Sequence, residues 1–330
     1  LSGTSSPYIS EIYRQTLSSL LEEIAIQKEL TIDRDGAEKN FRFVLLNLFE
    51  QETHPDHKKA ALAKILEEWP KVQESQDFEF LKRLSEALTK GNGPFYSDAL
   101  VIKARKLIGD SVERAAIEGL TSPYMDYFLQ NLEHSSQGVN IYLQKIFAEG
   151  RITPSILQFF FKFFPDQMPY FLLNLEEKSG DHAFLDRMTE SLKLVDTPQS
   201  LEALKTIFSA GNTFIKIKAL RAMQNLSSID PEFLMPILKK GSPPLKKEAL
   251  LALVKHESAK KPALDALLAF PSPFGMKNRR LRQHIRIVEE ARVKEARDHL
   301  KELSLRKDLW NRRLRREARR VLEKWNARSD

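Results

Sequence analysis

Apolar and polar positions alternate along this chain with the period of helices, and in the second half they do so in a repeated phrase. A short apolar helix, a small break, a basic pair and then Ala-Leu opening a second apolar helix reads as Leu234-Met-Pro-Ile-Leu238, Lys239-Lys-Gly-Ser-Pro-Pro and Leu245-Lys-Lys-Glu-Ala-Leu-Leu-Ala-Leu253. The same order appears earlier as Leu204 to Phe208, Ser209-Ala-Gly-Asn212 and Ile217-Lys-Ala-Leu-Arg-Ala-Met223. It returns as Leu300-Lys-Glu-Leu303, Arg306-Lys-Asp308 and Leu314-Arg-Arg-Glu-Ala-Arg-Arg-Val-Leu322. Self-similarity at a period of about thirty residues is the signature of stacked helix pairs, none of which buries its apolar face alone. The expected fold class is all-α: a right-handed α-solenoid of stacked antiparallel helix pairs.

Element by element, Ile9 to Leu30 carries apolar residues at helical spacing (Ile9, Ile12, Tyr13, Leu17, Leu20, Leu21, Ile24), and Thr31 to Gly36 reads as a break. Helices are expected over Phe41–Phe49, Lys58–Leu66, Phe78–Leu88, Asp98–Ile108, Val112–Leu120 and Tyr124–Leu132, with Gly109-Asp110 separating the fourth from the fifth. Ser or Thr followed by Pro, as at Ser122-Pro123 and Thr197-Pro198, marks a helix start: the hydroxyl caps a free N–H, and Pro in the first helical position forfeits no bond. The middle of the chain, with helices over Val139–Phe147, Pro154–Phe164, Pro169–Leu175 and Phe184–Val195, lacks the basic-pair phrase. After the Pro-rich break Phe270-Pro-Ser-Pro273 come helices over Arg279–Ala296, Leu300–Leu305 and Arg312–Trp325. The expected organisation is a disordered entry (1–8), N-terminal helical repeats (9–120), an irregular aromatic-rich middle (121–200), regular repeats (201–276) and a basic C-terminal capping repeat (277–330).

At this point the chain resembles the bacterial HEAT-repeat proteins, armadillo-type α-solenoids whose small-repeat forms are related to phycocyanobilin lyases. Arg114-Ala-Ala-Ile-Glu-Gly-Leu120, Lys218-Ala-Leu-Arg-Ala-Met223, Lys247-Glu-Ala-Leu-Leu-Ala-Leu253 and Arg316-Glu-Ala-Arg-Arg-Val-Leu322 carry the resemblance, each at the second helix of a pair. It spans 200–330 well, 40–120 in part and the middle poorly. It implies a fold more than an activity.

Charge changes the picture at one end. The chain is +7 overall, but from Lys277 onward there are 19 Lys or Arg against 9 Asp or Glu, so the preceding residues are net acidic. On a helix, Arg312, Arg316, Arg319 and Arg320 share one side while Leu314, Ala318, Val321, Leu322 and Trp325 point elsewhere. Arg279, Arg280, Arg282 and Arg286 extend this cationic surface, and with Arg312, Arg313, Arg316, Arg319 and Arg320 they are the candidate partner-binding residues. A guanidinium fork suits phosphate or carboxylate, and the plain alternative is a terminal helix with a solvated outer face.

Catalytic chemistry has little to stand on. The 330 residues include no Cys, which removes disulfides, thiolate metal sites and cysteine nucleophiles. His54 and His57 beside Glu52 have no evident third ligand, and Gly91-Asn-Gly-Pro94 lacks the Lys-Ser/Thr and preceding strand of a phosphate loop. Phe159-Phe-Phe-Lys-Phe-Phe164 surrounds its helix axis, which predicts a central core helix, with an exposed partner groove as the alternative. No catalytic residue, metal or cofactor is assigned.

The expected function is therefore a non-enzymatic scaffold or adaptor that binds a protein along a helical-repeat surface, its basic end taking an acidic partner. A nucleic-acid-binding HEAT protein is the alternative. Its enzymatic form resembles the HEAT-like alkylpurine DNA glycosylases, faintly echoed by Asp308, Trp310 and Arg312 to Arg316. An anionic membrane surface ranks lower because the outer faces are Arg-rich rather than Trp-rich or Leu-rich. No small-molecule substrate is expected. Cysteine absence fits a reducing cytoplasm, placed first, and a bacterial periplasm. The missing initial Met predicts a native N-terminus upstream of Leu1.

Overall fold

The computed structural model describes residues 34–89, 94–120, 122–268, 278–306 and 309–327. It is all-α: 81% is helical and no strand occurs among the described residues. The expected entry segment and the helix over Ile9–Leu30 lie outside the described residues. The chain divides into two units, one ending at Ile108 and one beginning at Gly109.

In the first unit, α1 (Arg34–Gln51), α2 (Pro55–Glu67), α3 (Trp69–Ser75) and α4 (Phe78–Thr89) pack in sequence, α1 against both α2 and α4. The expected break up to Gly36 is shorter than read, since Arg34 to Gly36 already belong to α1. Leu46, Phe49, Leu62, Phe80, Leu84 and Leu88 are fully enclosed, at the i, i+3, i+4 spacing that gives each helix one apolar face. Arg83 of α4 ties back to Asn47 (2.9 Å) and Glu50 (2.6 Å) of α1.

Helix α5 (Ala99–Ile117) corrects the expected pair of helices flanking Gly109-Asp110: it is continuous. A glycine inside a helix costs about 1 kcal/mol of propensity, less than a tertiary packing context overrides. Here Gly109 lies against Leu132, whose Cδ2 would stand 3.3 Å from an added Cβ.

The second unit continues with α6 (Met125–Asn131), α7 (Val139–Leu143) running into a π-turn over Gln144–Ala148, α8 (Pro154–Phe163), α9 (Met168–Glu177) and α10 (His182–Leu192). Next come α11 (Pro198–Ala210), α12 (Thr213–Met223), α13 (Pro231–Lys240), α14 (Pro243–Val254), α15 (Glu257–Leu267), α16 (Asn278–Ala291), α17 (Arg297–Leu305) and α18 (Arg312–Asn326). Helix α16 stops at Ala291, short of the expected Ala296, and is followed by a separate 3-10 turn over Lys294–Ala296. Arg292 between them has φ +54°, a left-handed conformation that cannot continue a helix.

Helix starts follow the chemistry of their caps. The side chains of Thr153, Asp181, Thr197, Asn212 and Asp230 each accept from the N–H three residues on, at 2.9–3.4 Å, and Pro occupies the first turn after Thr153, Thr197 and Asp230. The aromatic run resolves as core: Phe159, Phe160 and Phe161 are buried, Phe163 and Phe164 half-buried. Phe160 lies 5.2 Å from Phe171 and 6.2 Å from Tyr142 between ring centroids, so the buried part of this run fills the start of the unit.

Helix packing beyond this point has an alternating order. α8 contacts α10, α10 contacts α12, α12 contacts α14, α14 contacts α16 and α16 contacts α18, while α9 contacts α11 and α13 contacts α15. Consecutive helices α11–α12, α13–α14 and α17–α18 also pack on one another.

Candidate partner-binding surface

Side chains on α10, α12, α14, α16 and α18 bridge from each helix to the next in this order. Lys218 on α12 meets Asp186 on α10 at 2.5 Å. Arg221 on α12 directs Nε and Nη2 at one oxygen of Glu248 on α14, at 3.0 and 2.9 Å, and Gln224 donates to the other oxygen at 3.0 Å. Lys246 on α14 meets His284 on α16 at 3.0 Å. Arg286 on α16 reaches Glu317 on α18 at 3.1 Å, and Arg320 and Lys324 on α18 each reach Glu289 on α16 at 2.7 Å. Partners stand 24 to 38 residues apart, close to the spacing of the repeated sequence phrase.

This ladder sorts the predicted cations. Arg286 and Arg320 are bound to Glu317 and Glu289, and burial that would push the Glu289 carboxyl up is outweighed by Lys324 and Arg320, which hold it below the ordinary range. Arg280 donates to the Lys239 carbonyl at the end of α13 at 2.9 Å, where the C-terminal dipole favours a cation. Arg282 is half-buried with its Nε enclosed and unpartnered, and Arg279 is exposed. Lys277 lies outside the described residues.

Arg312, Arg313, Arg316 and Arg319 are different. All four are exposed, and no hydrogen bond or ion pair engages any of them among the described residues. Leu314, Ala318 and Val321 on the opposite side of α18 are buried, so the amphipathic pattern read from the sequence places these cations outward. Arg312, Arg313, Arg315 and Arg316 also crowd the first turns of α18, with no acid in its first turn, against the positive end of its dipole. Each such cation costs about 0.3–1 kcal/mol, a penalty that a bound anion would offset.

A cleft of about 570 Å³ opens between the C-terminal ends of α16 and α18, lined by Glu289, Glu290, Arg292, Lys294, Lys324 and Trp325. Its most enclosed acid, Glu289, is occupied by Arg320 and Lys324. Among the described residues no three His, Asp or Glu gather as metal ligands. The His54 and His57 rings lie 4.9 Å apart between centroids, tilted by 40°, and Glu52 accepts from the N–H groups of Thr53 and His54 at 2.9 Å, closing the turn into α2. Of the glycosylase-like residues, Asp308 lies outside the described residues and Trp310 is half-exposed. No helix is long and apolar enough to cross a membrane among the described residues.

Sequence reasoning missed one feature of this end. Leu305, Leu309 and Trp310, which periodicity assigns no special place, are exposed at the corner between α17 and α18.

No protein-family model matches the chain, and no curated protein matches it in sequence.

Proposed function

We propose that this chain is a non-enzymatic interaction module: a right-handed α-solenoid of HEAT-like helix pairs that binds a protein along its repeat surface and docks its basic C-terminal end against an anionic partner. The alternating packing from α8 to α18, with charged bridges recurring at the repeat period, supports the solenoid reading. The observation that carries the docking reading is the set of four unpartnered, outward Arg residues on α18, beside other cations of the same end that are consumed by Glu289 and Glu317. Unpaired guanidinium groups held on a rigid helix face present forked donors to carboxylate or phosphate without prior loss of an internal ion pair.

Fluorescence anisotropy with labelled poly-glutamate and a labelled DNA duplex, at two salt concentrations, tests this. The wild type binds an anionic polymer with affinity that falls as salt rises, and Arg312→Glu/Arg313→Glu/Arg316→Glu abolishes binding while far-UV circular dichroism is unchanged. Equal affinity of variant and wild type would sink the reading. Preference for the duplex with a steep salt slope would move the partner to nucleic acid.

A further inference from the structure

The charges lining the cleft between the C-terminal ends of α16 and α18 are not placed to stabilise α16. Glu289 and Glu290 stand in its last turn, at the negative end of its dipole, and no basic residue stands there with them. Arg292 follows in the left-handed region, at φ +54°, with its N–H on the Glu289 carbonyl at 3.1 Å and the Val293 N–H on the Val288 carbonyl at 3.2 Å. This pair of bonds closes a helix at a position that favours glycine, because a Cβ there crowds the following carbonyl. A cation inside the last turn would complement the dipole with no left-handed backbone, so helix stability does not account for an arginine here. Lys294 lies just beyond, in the 3-10 turn. Glu290, Arg292 and Lys294 are exposed, and no hydrogen bond or ion pair engages any of their side chains among the described residues. Half-buried Trp325 forms the aromatic part of the wall, and Glu289 and Lys324, which complete the lining, are bound to each other at 2.7 Å.

Two unengaged cations, one unengaged acid and an indole wall set the chemistry of an occupant. A carboxylate suits Arg292 and Lys294, an N–H donor suits Glu290, and an apolar side chain suits the indole ring. The end of a polypeptide carries all three in one residue: its terminal carboxylate, its own N–H and its side chain. A phosphate fits less well, because a doubly charged group would be brought beside Glu290 and would leave that acid with no donor. A volume of about 570 Å³ is within the range of sites that hold a small ligand. We infer that this cleft captures the C-terminal carboxylate end of a partner polypeptide, with Arg292 and Lys294 on the carboxylate, Glu290 on a backbone N–H and Trp325 against the last side chain. The inference rests on the reading of the chain as a protein-binding module and not on the Arg face. Arg312 to Arg316 stand at the other end of α18, about 13–20 Å from Trp325 along its axis. The cleft gives the module a second contact, specific for a chain end where the Arg face is specific only for negative charge.

Fluorescence anisotropy with the full chain tests this, using a tetrapeptide labelled at its N-terminus and ending in phenylalanine, as the free acid and as the carboxamide. The wild type should bind the free acid roughly tenfold more tightly than the carboxamide, and Lys294→Ala should weaken binding of the acid by a similar factor. Arg292→Gly is the more telling variant. It should raise the melting temperature, since glycine takes left-handed backbone without strain, while lowering affinity for the acid roughly tenfold. A residue with only a structural part in the helix end would not move the two readouts in opposite directions. Arg312→Glu/Arg313→Glu/Arg316→Glu should bind the peptide as the wild type does, being more than a screening length away at physiological salt. Equal affinity for acid and carboxamide, unaltered affinity in Arg292→Gly, or no peptide binding by a wild type that still binds poly-glutamate each overturns the cleft assignment and leaves the Arg face standing. Displacement of the bound peptide by adenosine monophosphate more readily than by N-acetylphenylalanine overturns the chain end in favour of a phosphate ligand. Peptide binding without poly-glutamate binding supports the cleft and removes the docking proposed for the Arg face. Failure of both would remove the protein-binding reading beneath it.

Discussion

Lys246 Nζ and His284 Nε2 meet at 3.0 Å in the buried seam between α14 and α16, and no carboxylate joins them among the described residues. The other ring nitrogen settles the arrangement: Nδ1 lies 2.7 Å from the Leu267 carbonyl at the end of α15, so Nδ1 carries the proton and Nε2 accepts from the ammonium. Burial pushes the imidazole pKa below its ordinary 6.5, a shift opposed by the Leu267 bond and reinforced by Lys246 and Arg280. Burial also lowers the Lys246 pKa, with Arg280 adding to it.

Acid should therefore loosen this seam. The unfolded chain takes up a proton at His284 near pH 6.5 while the folded chain does not, so folded stability falls as pH drops through that value. The paired carboxylates Asp98, Asp230 and Glu289, whose pKa values are lowered, lose their contribution only below about pH 4. Urea midpoints measured from pH 7 to pH 5 should decline for the wild type and decline less for His284→Gln. Parallel curves would show that the imidazole is not the titrating group.

The Arg221–Glu248 bridge predicts an asymmetry. The Glu248 side chain is only 7% exposed whereas that of Arg221 is 62% exposed. Removing the acid frees an arginine that swings into water; removing the arginine strands a buried carboxylate with Gln224 as its remaining side-chain donor. Arg221→Ala should cost about 2–4 kcal/mol and Glu248→Gln about 1 kcal/mol, read from urea denaturation. The reverse order would mean that the bridge matters mainly for the packing of α14.

How much of this was legible in the sequence depends on the distance over which each feature is decided. α4 was readable almost to the residue because Phe80, Leu81, Leu84 and Leu88 repeat at helical spacing within a single segment. The aromatic core around Phe160 was readable because five phenylalanines in six positions leave no polar face. Gly109 was misread as a break because its neighbour Leu132 is remote in sequence. Pairing of Arg286 with Glu317 and of Arg320 with Glu289 was invisible for the same reason: each acid stands 31 residues away and only helix stacking brings it into reach, whereas Arg320 and Glu317 are local neighbours on α18. Exposure of Leu309 and Trp310 ran against the rule that apolar residues go inward, so no periodicity argument finds it.

Glu113 on α5 is a buried carboxylate satisfied by a short loop and one phenol. It accepts from the hydroxyl of Ser135, from both the backbone N–H and the hydroxyl of Ser136 at 2.7 Å, and from Tyr142 Oη at 2.5 Å. Burial and the adjacent Glu113 raise the Tyr142 pKa far above the ordinary phenol value, so the hydroxyl remains a donor throughout the working pH range. Tyr142→Phe deletes one bond to a charge and should cost about 1.5–3 kcal/mol. Glu113→Ala leaves the Ser136 N–H and the Ser136 and Tyr142 hydroxyls without this acceptor, while Ser135 keeps the Gln137 carbonyl at 2.8 Å, and should cost about 3–5 kcal/mol. The double variant should cost less than the sum of the two, because the single changes share one bond. Strict additivity in a double-mutant cycle would disprove the coupling.

Glycines at the ends of two helices make the last prediction. Gly211 and Gly241 end α11 and α13, thirty residues apart, and each donates its N–H to the carbonyl four residues back at 2.8 Å. An added Cβ at Gly241 would stand 2.5 Å from the Ile237 carbonyl oxygen; at Gly211 it would stand 2.5 Å from Ile215 Cγ2 and 2.9 Å from the Ile207 oxygen. Backbone cannot yield as a side-chain tip does, so Gly241→Ala should destabilise by about 1–3 kcal/mol, and Gly211→Ala by a similar amount. Gly109→Ala should act in the opposite direction. Its one close contact among the described residues is 3.3 Å to the methyl end of half-exposed Leu132, which has room to move, and alanine gains up to about 1 kcal/mol of helix propensity within α5. Thermal melts of the three variants should therefore fall on both sides of the wild type, and a lower melting point for Gly109→Ala would show that the contact with Leu132 is rigid.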